Sequence, residues 1–203
     1  MQQQFIDYAM KFANLKKIHI YLGGSCLNKS ATKYSDIDIA ILCDDESVLR
    51  DFIYGYGQPI YISHTTNPKG ILIIIYSNGI AVDLEIVKEI NLIQKEWFHN
   101  VDIKTLNYTR NEEIYSELIS NNDKIYQTSR LFHRSLIKYL SKKTDAGISV
   151  ANEIADYMNI GYCVNKQNFK MQISALLDKF KSLYPISKEY TDILNNLIND
   201  IET

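Results

Sequence analysis

Two short stretches of the sequence place carboxylates at alternate positions between apolar residues. Asp36 and Asp38 do so in SDIDIAIL, and Asp83 and Glu85 do so in AVDLEIV. Because side chains two apart on a strand point to the same face, each stretch brings two like charges together. Burying them is costly without a cation or hydrogen bonds, so either the strand end is open to water or something positive binds there. Two such strands can converge on Mg²⁺, and two Mg²⁺ ions can clamp the oxygens of an in-line phosphoryl displacement.

A glycine-rich turn precedes the first acidic strand. Gly23, Gly24 and Ser25 follow a short apolar run, and ten residues separate Ser25 from Asp36. Glycine lets backbone N–H groups approach a phosphate closely, and a helix that starts after the turn adds a favourable dipole. Each feature is common by itself, whereas the turn and both acidic strands in this order are hard to obtain by chance. The combination therefore indicates phosphate chemistry.

These motifs together resemble the signature of the DNA polymerase β-type nucleotidyltransferase superfamily. The matching residues are Gly24-Ser25, then Asp36-Ile37-Asp38, then Val82-Asp83-Leu84 on a later strand. The resemblance covers about residues 15–90 and is greatest to antibiotic nucleotidyltransferases, which adenylylate aminoglycosides or lincosamides. It implies an enzyme that transfers a nucleoside monophosphate, AMP from ATP, to a hydroxyl of a small molecule and releases pyrophosphate.

The resemblance also implies where the cofactors bind. Asp36, Asp38 and Asp83 would hold the metal, expected to be two Mg²⁺ ions. Gly24 and Ser25 would hold the β- and γ-phosphates of the NTP through backbone N–H groups and the serine hydroxyl.

Three further residues each have two alternative roles in this scheme. Glu85 is either the general base that takes the proton of the acceptor hydroxyl or a residue that supports the metal ligands, and it competes with Asp83 for the third ligand position. Lys33 is assigned to nucleotide binding, and Lys29 lies in the same loop. Both lysines either approach the phosphates or remain solvated.

The remaining pattern predicts the elements that position these residues. Strands are expected at 18–22, 36–43, 59–64, 70–76 and 80–87, with Asn78-Gly79 as a hairpin turn. Helices are expected at 1–17, 46–54, 112–120, 125–140, 145–159, 166–183 and 190–201, from apolar residues at helical spacing. The strand pattern stops near Asn91. The predicted fold is α+β: a nucleotidyltransferase-type mixed β-sheet with flanking helices over residues 1–95, followed by an α-helical bundle over residues 96–203.

Composition restricts the function classes. The 203 residues carry a formal net charge of −2, which argues against extended binding to nucleic acid, because that needs clustered Lys and Arg. The longest apolar run, 71–76, is too short to span a bilayer, so no membrane association is expected. Three scattered cysteines suit a reducing compartment, and a cytoplasmic location is expected. The expected partner is a hydroxylated small molecule, and the oligomeric state stays open.

Three alternatives remain beside small-molecule transfer. The chain could modify a protein by AMPylation, as antitoxins with a similar catalytic core do, although those are little more than the core. It could be a nucleotide-binding regulator without turnover, which would not need three converging carboxylates. It could modify RNA ends, although no basic track is evident.

Overall fold

The computed structural model describes residues 2–66, 69–91, 95–112, 118, 124–161 and 163–202. The chain divides into two compact units, residues 1–121 and 122–203. Within the described residues, the N-terminal unit has seven strands: β1 (Ile20–Leu22), β2 (Ile37–Leu42), β3 (Pro59–Thr66), β4 (Lys69–Tyr76), β5 (Ala81–Ile90), β6 (Phe98–His99) and β7 (Tyr108–Arg110). Its helices are α1 (Gln2–Lys16), α2 (Gly24–Leu27), α3 (Glu46–Tyr56) and a 3-10 helix, Ile103–Thr105.

The seven strands form one mixed sheet in the order β3-β4-β5-β2-β1-β6, and β7 pairs with β5. Strands β2 and β5 run parallel, and so do β1 and β6. The other neighbours are antiparallel. The predicted α+β class with a mixed sheet and flanking helices is confirmed.

Alternation along the central strands gives the sheet two different faces. One face buries every second residue of β2 and β5, including Ile37, Ile39 and Leu84, against α1 and α3. Phe5 of α1 and Phe52 of α3 are completely buried in this core, with their rings edge to face at 6.0 Å. Side chains at the intervening positions point to the opposite face. The carboxylates therefore lie on a face that the main core does not fill.

The predicted hairpin between β4 and β5 is confirmed. Gly79 adopts φ +81°, a conformation that glycine enters without steric cost, and its N–H donates to the Tyr76 carbonyl at 2.8 Å. The Asn78 side chain accepts a hydrogen bond from the Ile80 N–H. The Asn-Gly pair thus sets the register in which Ile73 pairs with Asp83.

The sequence interpretation was wrong in one respect, because strands continue beyond Asn91. Strand β6 pairs with β1, and β7 pairs with the end of β5. These strands have two and three residues, too few for an alternating pattern to be recognised. Both lie within the compact N-terminal unit, past the predicted boundary at residue 95.

The C-terminal unit is helical, as predicted. It contains α4 (Lys124–Leu140), α5 (Thr144–Tyr157), α6 (Phe169–Leu183) and α7 (Lys188–Asn199). Gly147 lets α5 approach α4 closely, since a Cβ there would lie 2.8 Å from the Ser135 carbonyl oxygen. The helix predicted near 112–120 falls largely outside the described residues. Of the helices that are described, none is both long and apolar enough to cross a bilayer.

Candidate active site

Asp38 and Asp83 lie side by side on two adjacent strands at the centre of the sheet. They are register partners on the parallel strands β2 and β5. Both line a cavity of about 150 Å³ on the open face of the sheet. Parallel neighbours lie about 4.8 Å apart, so the two carboxylates share one short stretch of the cavity floor. The predicted convergence of two acidic strands is thus present for this pair.

The glycine turn lies directly against Asp38. The Gly23 N–H donates to the Asp38 carbonyl oxygen at 2.9 Å. Gly24 adopts φ +59°, and a Cβ at this position would overlap the Asp38 carboxylate. Both glycines line the cavity. Gly24 is therefore required by its approach to the carboxylate, whereas a Cβ at Gly23 would make only ordinary contacts, at 3.6 Å or more.

Asp36 and Ser25 lie outside the set of residues that line this cavity. Asp36 directly precedes β2, and its carbonyl oxygen is 4.0 Å from the Cys26 sulfur. Burial, followed by the charges of Asp38 and Asp36, raises the pKa of the Cys26 thiol. Both carboxylates therefore act on the same thiol. Ser25 lies in α2, where its carbonyl accepts a hydrogen bond from the Ser30 N–H.

The donor set suits Mg²⁺ bound together with a phosphate ligand. Among the described residues, no group of three or more His, Cys, Asp or Glu side chains could hold a metal ion by itself. Mg²⁺ is usually bound by one or two carboxylates plus substrate phosphates and waters. Asp38 and Asp83 match that requirement, and the three-residue set with Asp36 stays a prediction.

Glu85 is held by protein partners at the same cavity. It is 6% exposed and lines the cavity two residues along β5 from Asp83. Its Oε1 accepts hydrogen bonds from the Tyr108 hydroxyl at 2.7 Å and from Arg110 Nε at 2.6 Å, and Arg110 Nη2 also contacts it. Register explains the contact, because β7 pairs with the end of β5.

The pKa values of the two partners of Glu85 reflect this contact. Burial, with the hydrogen bond and charge of Glu85, raises the pKa of the Tyr108 hydroxyl. Burial would lower the pKa of Arg110, but the hydrogen bond and charge of Glu85 outweigh it and raise that pKa. Tyr108 therefore stays a neutral donor and Arg110 a cation at ordinary pH.

The structure does not bring Lys33 or Lys29 to the cavity wall. Lys33 Nζ lies 4.5 Å from the centroid of the Tyr34 ring. Lys29 follows α2 with φ 55°. The cation that lines the cavity is Lys104, in the 3-10 helix that Asp102 caps by accepting a hydrogen bond from the Lys104 N–H at 3.0 Å. The role predicted for Lys33 in nucleotide binding remains a prediction.

Sequence reasoning missed three polar residues of the cavity wall, Tyr21, Asp102 and Lys104. It also missed the two partners of Glu85, Tyr108 and Arg110. The one sequence signal for this wall was Asp102 before a short turn, which is typical of a helix cap. Nothing local in the sequence indicates that this turn, or the three residues of β7, would reach the sheet.

Tyr21 is the most deeply buried polar side chain of the wall. It is 1% exposed, and its ring stacks on that of His99 with centroids 4.5 Å apart. Its hydroxyl is buried without a hydrogen-bond partner among the described residues. Leaving such a group unpaired costs about 1–3 kcal/mol. Burial also raises the pKa of this phenol, which keeps it neutral.

One comparison with known proteins bears on this arrangement. The family model described as a nucleotidyltransferase domain matches residues 8–129, more than half of the chain. The match includes the glycine turn, both acidic strands and β7. No curated protein matches the chain significantly.

Proposed function

The chain belongs to the nucleotidyltransferase domain family, and we propose that it transfers AMP from ATP to a hydroxyl group of a small molecule. The observation that carries the proposal is the register of Asp38 with Asp83 beside Gly23 and Gly24 in one cavity. Two carboxylates next to a glycine turn in the cavity wall suit a triphosphate with its divalent cation. That the protein is a nucleotidyltransferase follows from the family, and the donor and acceptor are the proposal.

In the proposed reaction the acceptor hydroxyl oxygen attacks the α-phosphorus of ATP. The bond from that phosphorus to the bridging oxygen breaks, and pyrophosphate leaves with the electron pair. Asp38 and Asp83, with Asp36 from the end of the loop, would hold Mg²⁺, which neutralises phosphate charge when bound. Gly24 and Ser25 would hold the β- and γ-phosphates.

Glu85 is the proposed recipient of the proton from the acceptor hydroxyl. Its Oε1 is occupied by Tyr108 and Arg110, so proton transfer would use Oε2. Lys33 is the proposed phosphate contact from the loop after α2. Lys104 already lines the cavity and is an alternative cation for the same task.

The proposed acceptor is an aminoglycoside or a lincosamide. Among the described residues, four carboxylates line the cavity, those of Asp38, Asp83, Glu85 and Asp102, against one lysine, Lys104. Such an excess of negative charge favours an acceptor that carries amino groups. The same charge would repel a free triphosphate, so the nucleotide should enter together with its cation.

A pyrophosphate-release screen tests the proposal. Each of the four NTPs would be incubated with the protein and Mg²⁺, with panels of aminoglycosides, lincosamides and hydroxylated metabolites, and with EDTA as the control. We expect release that requires ATP, Mg²⁺ and one acceptor, and that is lost in Asp83→Asn. The exposed Asp51→Asn is the matched control and should retain it. Release without an acceptor, together with labelling of protein, would favour AMPylation instead; no release with any acceptor would contradict small-molecule transfer.

A further inference from the structure

A row of residues crosses the cavity floor beside the Asp38–Asp83 pair. Tyr21 on β1 pairs with Ala40 on β2, and Ala40 pairs with Glu85 on β5. All three line the cavity. Register partners on adjacent strands share a face, so Tyr21 and Glu85 stand on either side of a small alanine, with their Cα atoms about 10 Å apart. The row lies two residues, about 6.6 Å, along the strands from the acidic pair.

The two polar residues at the ends of this row, Tyr21 and Glu85, differ in their hydrogen-bond partners. Tyr21 is 1% exposed, in a cluster with Ala40, Val87 and Ile103, and its hydroxyl has no partner among the described residues. At the other end, Tyr108 and Arg110 direct their hydrogen bonds to Oε1 of Glu85. Oε2 receives none of these bonds.

We propose that the row Tyr21–Ala40–Glu85 is the subsite for a polyhydroxylated acceptor. One ligand hydroxyl would pair with the Tyr21 hydroxyl and another would donate to Glu85 Oε2, while Ala40 leaves room for the ring between them. Tyr108 and Arg110 are positioning residues, because they fix Glu85 through Oε1 and do not line the cavity themselves. The assignment rests on the proposed function for its ligand class but not for its geometry.

A purely structural tyrosine would behave differently from a ligand-binding one when its hydroxyl is removed. Tyr21→Phe deletes a hydroxyl that has no protein partner, so the unfolding midpoint should stay the same or rise. Tyr76→Phe is the matched control, since the buried Tyr76 hydroxyl donates to the Ile53 carbonyl at 2.8 Å. This variant should lower the midpoint. A Tyr21→Phe midpoint that falls as far as that of Tyr76→Phe would overturn the assignment.

Binding provides the second readout, with kanamycin and lincomycin as the probes. Calorimetry on the full-length protein should show affinity for at least one probe. Tyr21→Phe should weaken it about three- to tenfold, and Glu85→Gln about ten- to a hundredfold, while both variants keep the wild-type affinity for ATP with Mg²⁺. Tyr108→Phe should weaken probe binding less than Glu85→Gln, because it acts only through the carboxylate.

The outcomes separate this inference from the proposed function. Probe binding that depends on Tyr21 and Glu85 without any pyrophosphate release would support the subsite and contradict the transfer reaction. Transfer to an acceptor with a KM unchanged in Tyr21→Phe would support the reaction and overturn the subsite. Failure of the wild-type protein to bind either probe would also overturn the assignment of this row to a polyhydroxylated ligand of these classes.

Discussion

Gly24 and Asp38 approach so closely that no side chain fits between them. Gly24 has φ +59°, and a Cβ there would overlap the Asp38 carboxylate, which itself lies next to Asp83 across two parallel strands. A backbone segment that carries no side chain is thus held against the acidic pair. This contact connects the glycine turn with the acidic strand, because the position of the Asp38 side chain depends on the absence of a side chain at residue 24.

Gly24→Ala should therefore impair both the fold and the site. The left-handed conformation alone should cost about 1–2 kcal/mol of unfolding free energy, and the overlap should displace Asp38. A displacement near 1 Å can reduce a transfer rate by about 100-fold. Gly79→Ala is the matched control, since Gly79 has φ +81° with open space around its Cβ position. Denaturant unfolding should show a loss of stability in both variants that is larger in Gly24→Ala, and the rate of pyrophosphate release should fall only in Gly24→Ala. Equal rates in the two variants would contradict the steric explanation.

Substitutions of Arg110 and Glu85 should have strongly coupled effects on the free energy of unfolding. The Glu85 side chain is 8% exposed and that of Arg110 is 22% exposed. Arg110→Met would remove the cation that pairs with this mostly buried carboxylate, at a cost of about 3 kcal/mol. In a double-mutant cycle with Glu85→Gln, the coupling should be about 1–3 kcal/mol.

The exposed pair of Lys16 and Asp51, with side chains 37% and 58% exposed, is the comparison for this cycle. It should show a coupling below about 1 kcal/mol. Additive effects of the Arg110 and Glu85 substitutions would show that the contact does not hold the carboxylate.

His99 should make the stability of the N-terminal unit depend on pH. Burial, followed by the charge of His19, lowers the pKa of His99, while Glu96 acts in the opposite direction. A lowered pKa means that the unfolded chain binds the proton first, so stability is present above about pH 6.5 and is lost as the pH falls below it. His99→Phe, which keeps a ring against Tyr21, should reduce this loss. Denaturant unfolding between pH 5 and 8 tests this prediction. If the free energy of unfolding of the variant depends on pH as steeply as that of the wild-type protein, His99 is not the cause.

The parts of the fold and site that could be predicted from sequence are those encoded by local patterns. Alternation placed Asp38 and Asp83 on one face, and Asn78-Gly79 marked the hairpin that fixes the register of β5. The contacts of Glu85 could not be predicted, because Arg110 and Tyr108 come from a three-residue strand far along the chain. The place of Tyr21 in the cavity wall could not be predicted either, because its three-residue strand is buried at every position and shows no alternation.

Asp38 and Asp83 should jointly bind the cation that brings in the nucleotide. Calorimetric titration of ATP, with and without Mg²⁺, into the wild-type protein, Asp38→Asn, Asp83→Asn and the surface control Asp51→Asn tests it most directly. We predict that ATP binds the wild-type protein and the control tightly only with Mg²⁺. Both active-site variants should lose the Mg²⁺-dependent affinity, while their unfolding midpoints hold or rise because like-charge repulsion is relieved. Equal ATP affinity with and without Mg²⁺, or full Mg²⁺-dependent affinity in either active-site variant, would contradict the claim.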